Sequence, residues 1–313
     1  MRAVVLDAPN TPLRVTDVPV PEPKPGEVLI EVKAFGLNRS ELHTRLGLAQ
    51  GVTFPRVLGI EATGVVVSAP GGEFAVGQQV MTMMGGMGRM FDGGYAEFTS
   101  VPANQVIPFS SDLPWEVLGA IPETLQTAYG SLTIGLDAQA GQSLLIRGGS
   151  SSVGMATAVL AQRMGMTVFS TTRQADRLSL LGADYPLLDD GHVAEQVRLI
   201  ETEGVHRALE LVGAPTLPDT LAAVRVHGTV CFTGMLSNQW LLPDFYPNGD
   251  LPRGVGLTGY HGWASDLPPK VLQDFLDTGG RVPTGAVFAF DDVLSATAAM
   301  EANAVVGKIV VVL

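Results

Sequence analysis

Along residues 28 to 33, Val28, Ile30 and Val32 alternate with Leu29, Glu31 and Lys33, a period of two that predicts a half-buried strand. Proline and glycine punctuate the chain every eight to twelve residues as far as about residue 116, so this stretch reads as one all-β domain. From about Asp112 apolar strands begin to alternate with helical stretches. A helical run over Leu113 to Leu132 precedes a strand over Ser143 to Gly149 and a helix over Ser152 to Met164. Strands follow at Thr167 to Thr172, Ala183 to Leu187, Val205 to Val212 and Thr229 to Thr233. Helices at Ala175 to Leu181, Val193 to Glu203 and Leu217 to Val224 separate them. Strands spaced by crossover helices predict an α/β fold with a doubly wound parallel sheet. After the loop Leu242 to Gly254, β texture returns in Val255 to Gly259 and Gly307 to Leu313, a tail expected to rejoin the first domain. The predicted organisation is a domain of residues 1–116 and 257–313 around a second of residues 117–256.

The chain's 313 residues carry 19 Lys plus Arg against 31 Asp plus Glu, a net charge of −12, with no basic block. That balance excludes a nucleic-acid backbone binder, which depends on cationic neutralisation of phosphates. The lone Cys231 forms no intrachain disulfide, and no run approaches the length of a membrane span. The expectation is a cytoplasmic protein that engages neither membrane nor nucleic acid.

The strongest local signal is Ser143-Leu-Leu-Ile-Arg-Gly-Gly-Ser-Ser-Ser-Val-Gly154, an apolar strand running through small residues into a helix. Small residues let a pyrophosphate approach the backbone, and the free N–H groups of the helix start receive its charge. Gly149, Ser150, Ser151, Ser152, Val153 and Gly154 are the predicted cradle, with serine in place of the middle glycine of G-x-G-x-x-G. The plain alternative is a tight connection. At the end of the next strand, an acid would accept ribose hydroxyls, but the chain reads Ser170-Thr171-Thr172-Arg173. Hydroxyls and a guanidinium suit a 2′-phosphate and so NADP(H), against the alternative of a solvated surface arginine.

The five histidines and one cysteine show no ligand spacing, so no metal is expected. The serine triplet lacks the G-x-S-x-G context of a nucleophile elbow, and no tyrosine has a lysine four residues on.

The succession Gly36-Leu37-Asn38, Phe54-Pro-Arg-Val-Leu-Gly-Ile-Glu-Ala-Thr-Gly64, Gly93-Gly-Tyr-Ala-Glu97, Pro122 with Thr127-Ala-Tyr129, Gly149 to Gly154 and Gly307-Lys308-Ile309-Val310 resembles the medium-chain dehydrogenase/reductase superfamily over nearly the whole chain. Within it, the resemblance is to the zinc-free quinone oxidoreductase branch. It implies a discontinuous chaperonin-10-like β-barrel catalytic domain and a six-stranded Rossmann domain, with NADPH held between them. By position it places Thr127 near the nicotinamide, and Thr233, Gly234 and Met235 along the cofactor at the fifth strand's end. Gly259, Tyr260 and Lys308 complete that pocket. The zinc-dependent branch has Cys shortly after Gly36 and His at the position of Ile60; here Asn38, Ser40 and Ile60 stand there. The Gly- and Met-rich stretch Met81 to Met90 departs from the pattern.

Asn38 and His43 are the candidate catalytic residues, an amide to hold a developing oxyanion and an imidazole to deliver a proton. The structural alternative for His43 is a packed or solvated histidine, and for Tyr95 a packing role. The expected activity is metal-free, NADPH-dependent hydride transfer to a quinone or an α,β-unsaturated carbonyl. An enoyl-thioester reductase and a non-catalytic NADPH-binding sensor are the rivals. A homodimer through the Val255 to Gly259 edge is also expected.

Overall fold

The computed structural model describes residues 1–313. The chain forms two compact units, one of Met1–Gln126 with Gly262–Leu313 and one of Thr127–His261.

The first unit opens with β1 (Arg2–Leu6), β2 (Arg14–Asp17), β3 (Glu27–Gly36), α1 (Arg39–Arg45), β4 (Arg56–Val57), β5 (Glu61–Ser68), β6 (Gln79–Met83), β7 (Phe98–Pro102) and β8 (Val106–Pro108). Two short helices follow, α2 (Trp115–Leu118) and α3 (Pro122–Gly130). The ten-residue β3 is the spine, antiparallel to both β5 and β7. Its alternation buries Val28, Ile30 and Val32 against Val4, Leu6, Leu58 and Val66. Phe35 stacks on Tyr95 at 4.5 Å between ring centroids, which makes Tyr95 a packing residue of this barrel-like core. Full burial of each such side chain contributes roughly 1.5–3 kcal/mol.

The second unit contains β9 (Ser143–Arg147), α4 (Ser152–Arg163), β10 (Thr167–Thr172), β11 (Tyr185–Leu188), α5 (Val193–Ile200), β12 (Val205–Glu210), α6 (Leu217–Ala222), β13 (Val224–Phe232), α7 (Pro247–Asp250) and β14 (Gly256–Gly259). Its six strands are all parallel, in the order β11-β10-β9-β12-β13-β14. The order reverses direction at β9, the arrangement that puts ligand crevices at the carboxyl ends of the strands. The chain then returns to the first unit through α8 (Pro269–Asp277), β15 (Thr284–Ala289), α9 (Val293–Glu301) and β16 (Lys308–Val312). There β16 pairs antiparallel with β3.

Two expectations shift. The units divide after Gln126 and His261 rather than after residues 116 and 256. The segment Val255 to Gly259 does not rejoin the first domain: Gly256–Gly259 runs parallel to Thr229–Phe232 as the sixth strand of the second unit's sheet. The helix expected over Ala175 to Leu181 forms as a 3₁₀ helix over Ala175–Leu180, and none of its residues is buried.

Candidate functional site

In the second unit, the turn between β9 and α4 is built by close packing. Gly148 adopts φ +85°, which glycine takes without strain. A Cβ on Gly154 would lie 2.7 Å from the Cα of Gly149 and 2.8 Å from the carbonyl oxygen of Gly148, so the helix start rests on the backbone of its own turn. A Cβ on Gly149 would meet the Ser170 Oγ at 1.8 Å. Ser151, the departure from the glycine pattern, is the N-cap of α4: its Oγ accepts from the Gly154 N–H at 3.1 Å and donates to the Gly148 carbonyl at 2.8 Å. Ser150, Ser152 and Val153 are half-buried around it.

The hydroxyls at the end of β10 are not presented as the sequence suggests. Ser170, Thr171 and Thr172 are all buried, because β10 lies inside a parallel sheet. Thr171 Oγ1 accepts from the Gly148 N–H at 3.0 Å and so holds the turn. The buried Ser170 Oγ has no partner and faces the same turn. Arg173 alone of the four is exposed. Arg177, one turn on, was missed by sequence reasoning; neither guanidinium has a hydrogen-bond or ion-pair partner in the chain.

At the end of β13, Thr233 Oγ1 lies 3.1 Å from Ser131 Oγ and 3.4 Å from Cys231 Sγ. Gly234 and Met235 are half-buried beside it. Gly259 is exposed, whereas Tyr260 is buried, its hydroxyl 1.8 Å from where a Cβ on Gly130 would stand. Thr127 is buried on α3. Sequence reasoning also missed Arg147, which is buried at the last position of β9. It donates to both oxygens of Asp189 at 2.6 and 2.8 Å and to Asp219 at 2.6 Å. Asp219 also accepts from the Val193 and Ala194 N–H groups at the start of α5. One guanidinium thus ties strand ends to the helices beyond them. The only sequence signal is an arginine at the end of an apolar strand.

In the first unit, Asn38, Glu41, Glu61, Glu123 and Lys308 form a buried cluster. Lys308 Nζ donates to Glu61 at 2.7 Å and to Asn38 Oδ1 at 2.5 Å, with Glu123 at 3.4 Å. Burial pulls the ammonium toward neutrality, but the carboxylates of Glu61 and Glu123 outweigh it and hold its pKa above the usual lysine value. Two of the expected site residues, Asn38 and Lys308, lie in this cluster. Asn38 Nδ2 donates to Glu61 at 2.9 Å, with the Gly36 carbonyl at 3.4 Å and Glu41 at 3.5 Å, so its amide faces into the cluster. Lys308 is fully buried in the same ion pair.

Glu41 accepts from the Asn38 and Ile60 N–H groups, yet burial is the larger effect and pushes its pKa up to about 7. An acid raised in the fold stabilises most at low pH. Its contribution falls as pH climbs from the unfolded value near 4.5 to about 7. His43 is buried on α1, and its carbonyl accepts from Leu48 at 2.9 Å and Ala49 at 3.3 Å.

Comparison with known proteins gives this arrangement a family. Residues 24–111 match the alcohol dehydrogenase GroES-like domain, and residues 152–273 match the zinc-binding dehydrogenase domain. The trans-enoyl reductase tndF of Aspergillus flavipes is 30% identical over 302 residues, covering 84% of this chain and 85% of the relative. The chain belongs to the medium-chain dehydrogenase/reductase superfamily. Another superfamily relative, the putative quinone oxidoreductase YhfP of Bacillus subtilis, is 27% identical over 277 residues, covering 82% of this chain and 83% of that one. A solved structure described as an NAD-dependent alcohol dehydrogenase superposes with a TM-score of 0.89 at 27% identity, covering all of both chains. The mycobacterial Rv1454c, solved with NADPH, gives 0.87 at 26% with the same coverage. This member of the superfamily is an oxidoreductase. It brings no three His, Cys, Asp or Glu side chains together in a group that holds a metal ion, and no helix is long and apolar enough to cross a membrane.

Proposed function

We propose that the protein is an NADP(H)-dependent reductase of conjugated carbonyl acceptors, a quinone or an enone, working without a metal. The observation that carries the cofactor assignment is the pair of unpartnered guanidiniums, Arg173 and Arg177, where an NAD-specific site has an acid. The turn fits a dinucleotide in two further respects. Gly149 and Gly154 leave no room for side chains, and the unpaired Ser170 Oγ lies directly against the turn. Rv1454c, described with NADPH, supports the same reading.

A bound reduced nicotinamide supplies the hydride. The protein's own part is to orient cofactor and acceptor and to keep the reacting carbon dry, while the resulting enolate or hydroquinone oxygen takes its proton from water. Reduction of a conjugated acceptor needs no base or zinc to strip a hydroxyl proton, which agrees with the lack of a ligand cluster. The likeness to tndF favours an enoyl thioester as the second reading of the acceptor. The exposed edge strand β14 supports a two-fold dimer that extends the sheet, a state that light scattering at micromolar concentration tests.

Titration tests the cofactor assignment. NADPH is expected to bind more tightly than NADH, and Arg173→Ala to weaken NADPH alone by about one to two decades, the worth of a charge-assisted contact of ~1.5–3 kcal/mol. Equal affinities in the parent protein contradict the assignment.

A further inference from the structure

Strand β12 runs out through Ala208-Leu-Glu-Leu-Val-Gly213, a single acid in an otherwise apolar stretch. The side chain of Glu210 is completely buried. Uncharged donors meet its carboxylate. Oε1 accepts from the Val212 N–H at 2.7 Å, the Gly213 N–H at 3.0 Å and the Thr216 hydroxyl at 3.0 Å, and Oε2 from the Thr220 hydroxyl at 2.6 Å. Burial pushes its pKa above the usual carboxylate value, and the bonds from Thr220, Gly213 and Thr216 pull against that shift. A buried acid is costly, yet most of these bonds go to residues 212–216, so they shape the loop into α6 rather than join distant elements.

The Glu210 backbone organises a second loop. Its carbonyl accepts from the Thr233 N–H at 3.0 Å and the Gly234 N–H at 3.1 Å, at the exit of β13. The Leu236 and Ser237 N–H groups then donate to the Leu211 and Val212 carbonyls at 3.1 and 2.9 Å, lacing the two loops together. Gly213 sits at φ +121°, and a Cβ there would stand 2.9 Å from Ser237 Oγ and 3.0 Å from the Gln239 carbonyl oxygen. A Cβ on Gly148 would lie 3.2 Å from both Val212 Cγ2 and Leu236 Cδ1. The laced loops therefore form a wall against the first residue of the dinucleotide turn. Strands β9 and β12 are neighbours where the strand order reverses, the place where open α/β sheets take their ligands. Arg173 follows β10, on the other side of β9. A dinucleotide with its 2′-phosphate there and its pyrophosphate at the start of α4 extends its remaining half over β12.

We propose that Glu210 is a positioning residue for the cofactor: its carboxylate sets Val212 and Gly213 as the wall on which the nicotinamide nucleoside half rests. This inference rests on the NADP(H) reading above and assigns a residue to it. The alternative is that Glu210 only closes the end of its strand.

The probes are NADPH and 2′,5′-ADP, which carries the adenosine half without the nicotinamide, both titrated calorimetrically. Glu210→Leu withdraws the acceptor from the two N–H groups and is expected to weaken NADPH by about tenfold or more, and 2′,5′-ADP by less than about twofold. Glu210→Gln keeps an oxygen toward the loop and should hold both affinities within about threefold of the parent. A general loss of folding would lower both ligands alike. Amide hydrogen exchange over residues 211–216 of the parent needs no variant to fold: NADPH should slow it and 2′,5′-ADP should not. Equal losses of the two ligands in Glu210→Leu, undiminished NADPH affinity in that variant, or exchange slowed alike by both ligands overturns the assignment while leaving the cofactor reading intact. A parent protein that binds neither ligand overturns the NADP(H) reading itself, and this inference with it.

Discussion

Lys308→Met is expected to destabilise the protein by about 3–5 kcal/mol, the usual cost of removing one partner from a buried ion pair. The ammonium is wholly buried, and its loss leaves the equally buried Glu61 carboxylate without its cation and Asn38 Oδ1 without its donor. Glu61 keeps only the N–H bonds from Asn38 Nδ2 and the Glu123 backbone. Thermal unfolding should show a fall of roughly 10 °C for a chain of this size. The control is Lys270→Met, which breaks an exposed pair with Asp274 on α8 and should unfold close to the parent. Adding Glu61→Gln to Lys308→Met should recover part of the loss, because it removes the stranded charge. If Lys308→Met proves no worse than Lys270→Met, the cluster is not holding the first unit together.

Gly154→Ala is expected to be the most damaging single change at the dinucleotide turn. The added Cβ would meet Gly149 Cα at 2.7 Å, Gly148 O at 2.8 Å and Gly149 O at 2.9 Å, all backbone atoms that no rotamer change clears. Helix α4 must back away from the turn, at a cost of about 1–3 kcal/mol for overpacking. A shift of about 1 Å in groups that position a ligand costs on the order of 10²-fold, so NADPH affinity should fall by that factor. Gly149→Ala differs in kind, since its nearest obstacle is the Ser170 hydroxyl. Ser170→Gly should therefore rescue Gly149→Ala and leave Gly154→Ala impaired. Fluorescence titration of NADPH against the three single variants and the two double variants reads this directly. Unaltered binding in Gly154→Ala would mean that the turn does not hold the cofactor.

The dinucleotide turn was legible because its signal is local: an apolar strand, a run of small residues and a helix start within a dozen positions. The parallel sheet was legible for the same reason, as the period of its strands and helices is written along the chain. The segment at Val255 to Gly259 was legible only in part: it reads both as a sheet edge and as the start of a tail returning to the first domain, and its pairing with β13 at the sheet edge is a tertiary choice between the two. The cluster around Lys308 was equally hidden. Asn38 and Lys308 are 270 positions apart, and β16 must lie along β3 before they meet. The i, i+3 pairing of Asn38 with Glu41, which lets the carboxylate accept the Asn38 backbone N–H, was the one local trace of it. Ser170 to Thr172 look available in sequence because they are hydroxyl residues at a strand end, whereas the sheet turns these three inward and leaves Arg173 exposed.

The reaction proposed for this protein is hydride transfer from NADPH to a conjugated acceptor without metal. Its most direct test is the steady-state oxidation of NADPH by a panel of quinones and enones, after exhaustive dialysis against a chelator, beside NADP⁺-dependent oxidation of simple alcohols. The expected result is rapid reduction of the conjugated acceptors, unchanged by chelation, with negligible alcohol oxidation. Efficient alcohol oxidation that chelation abolishes and zinc restores, with no turnover of quinones or enones, would contradict it.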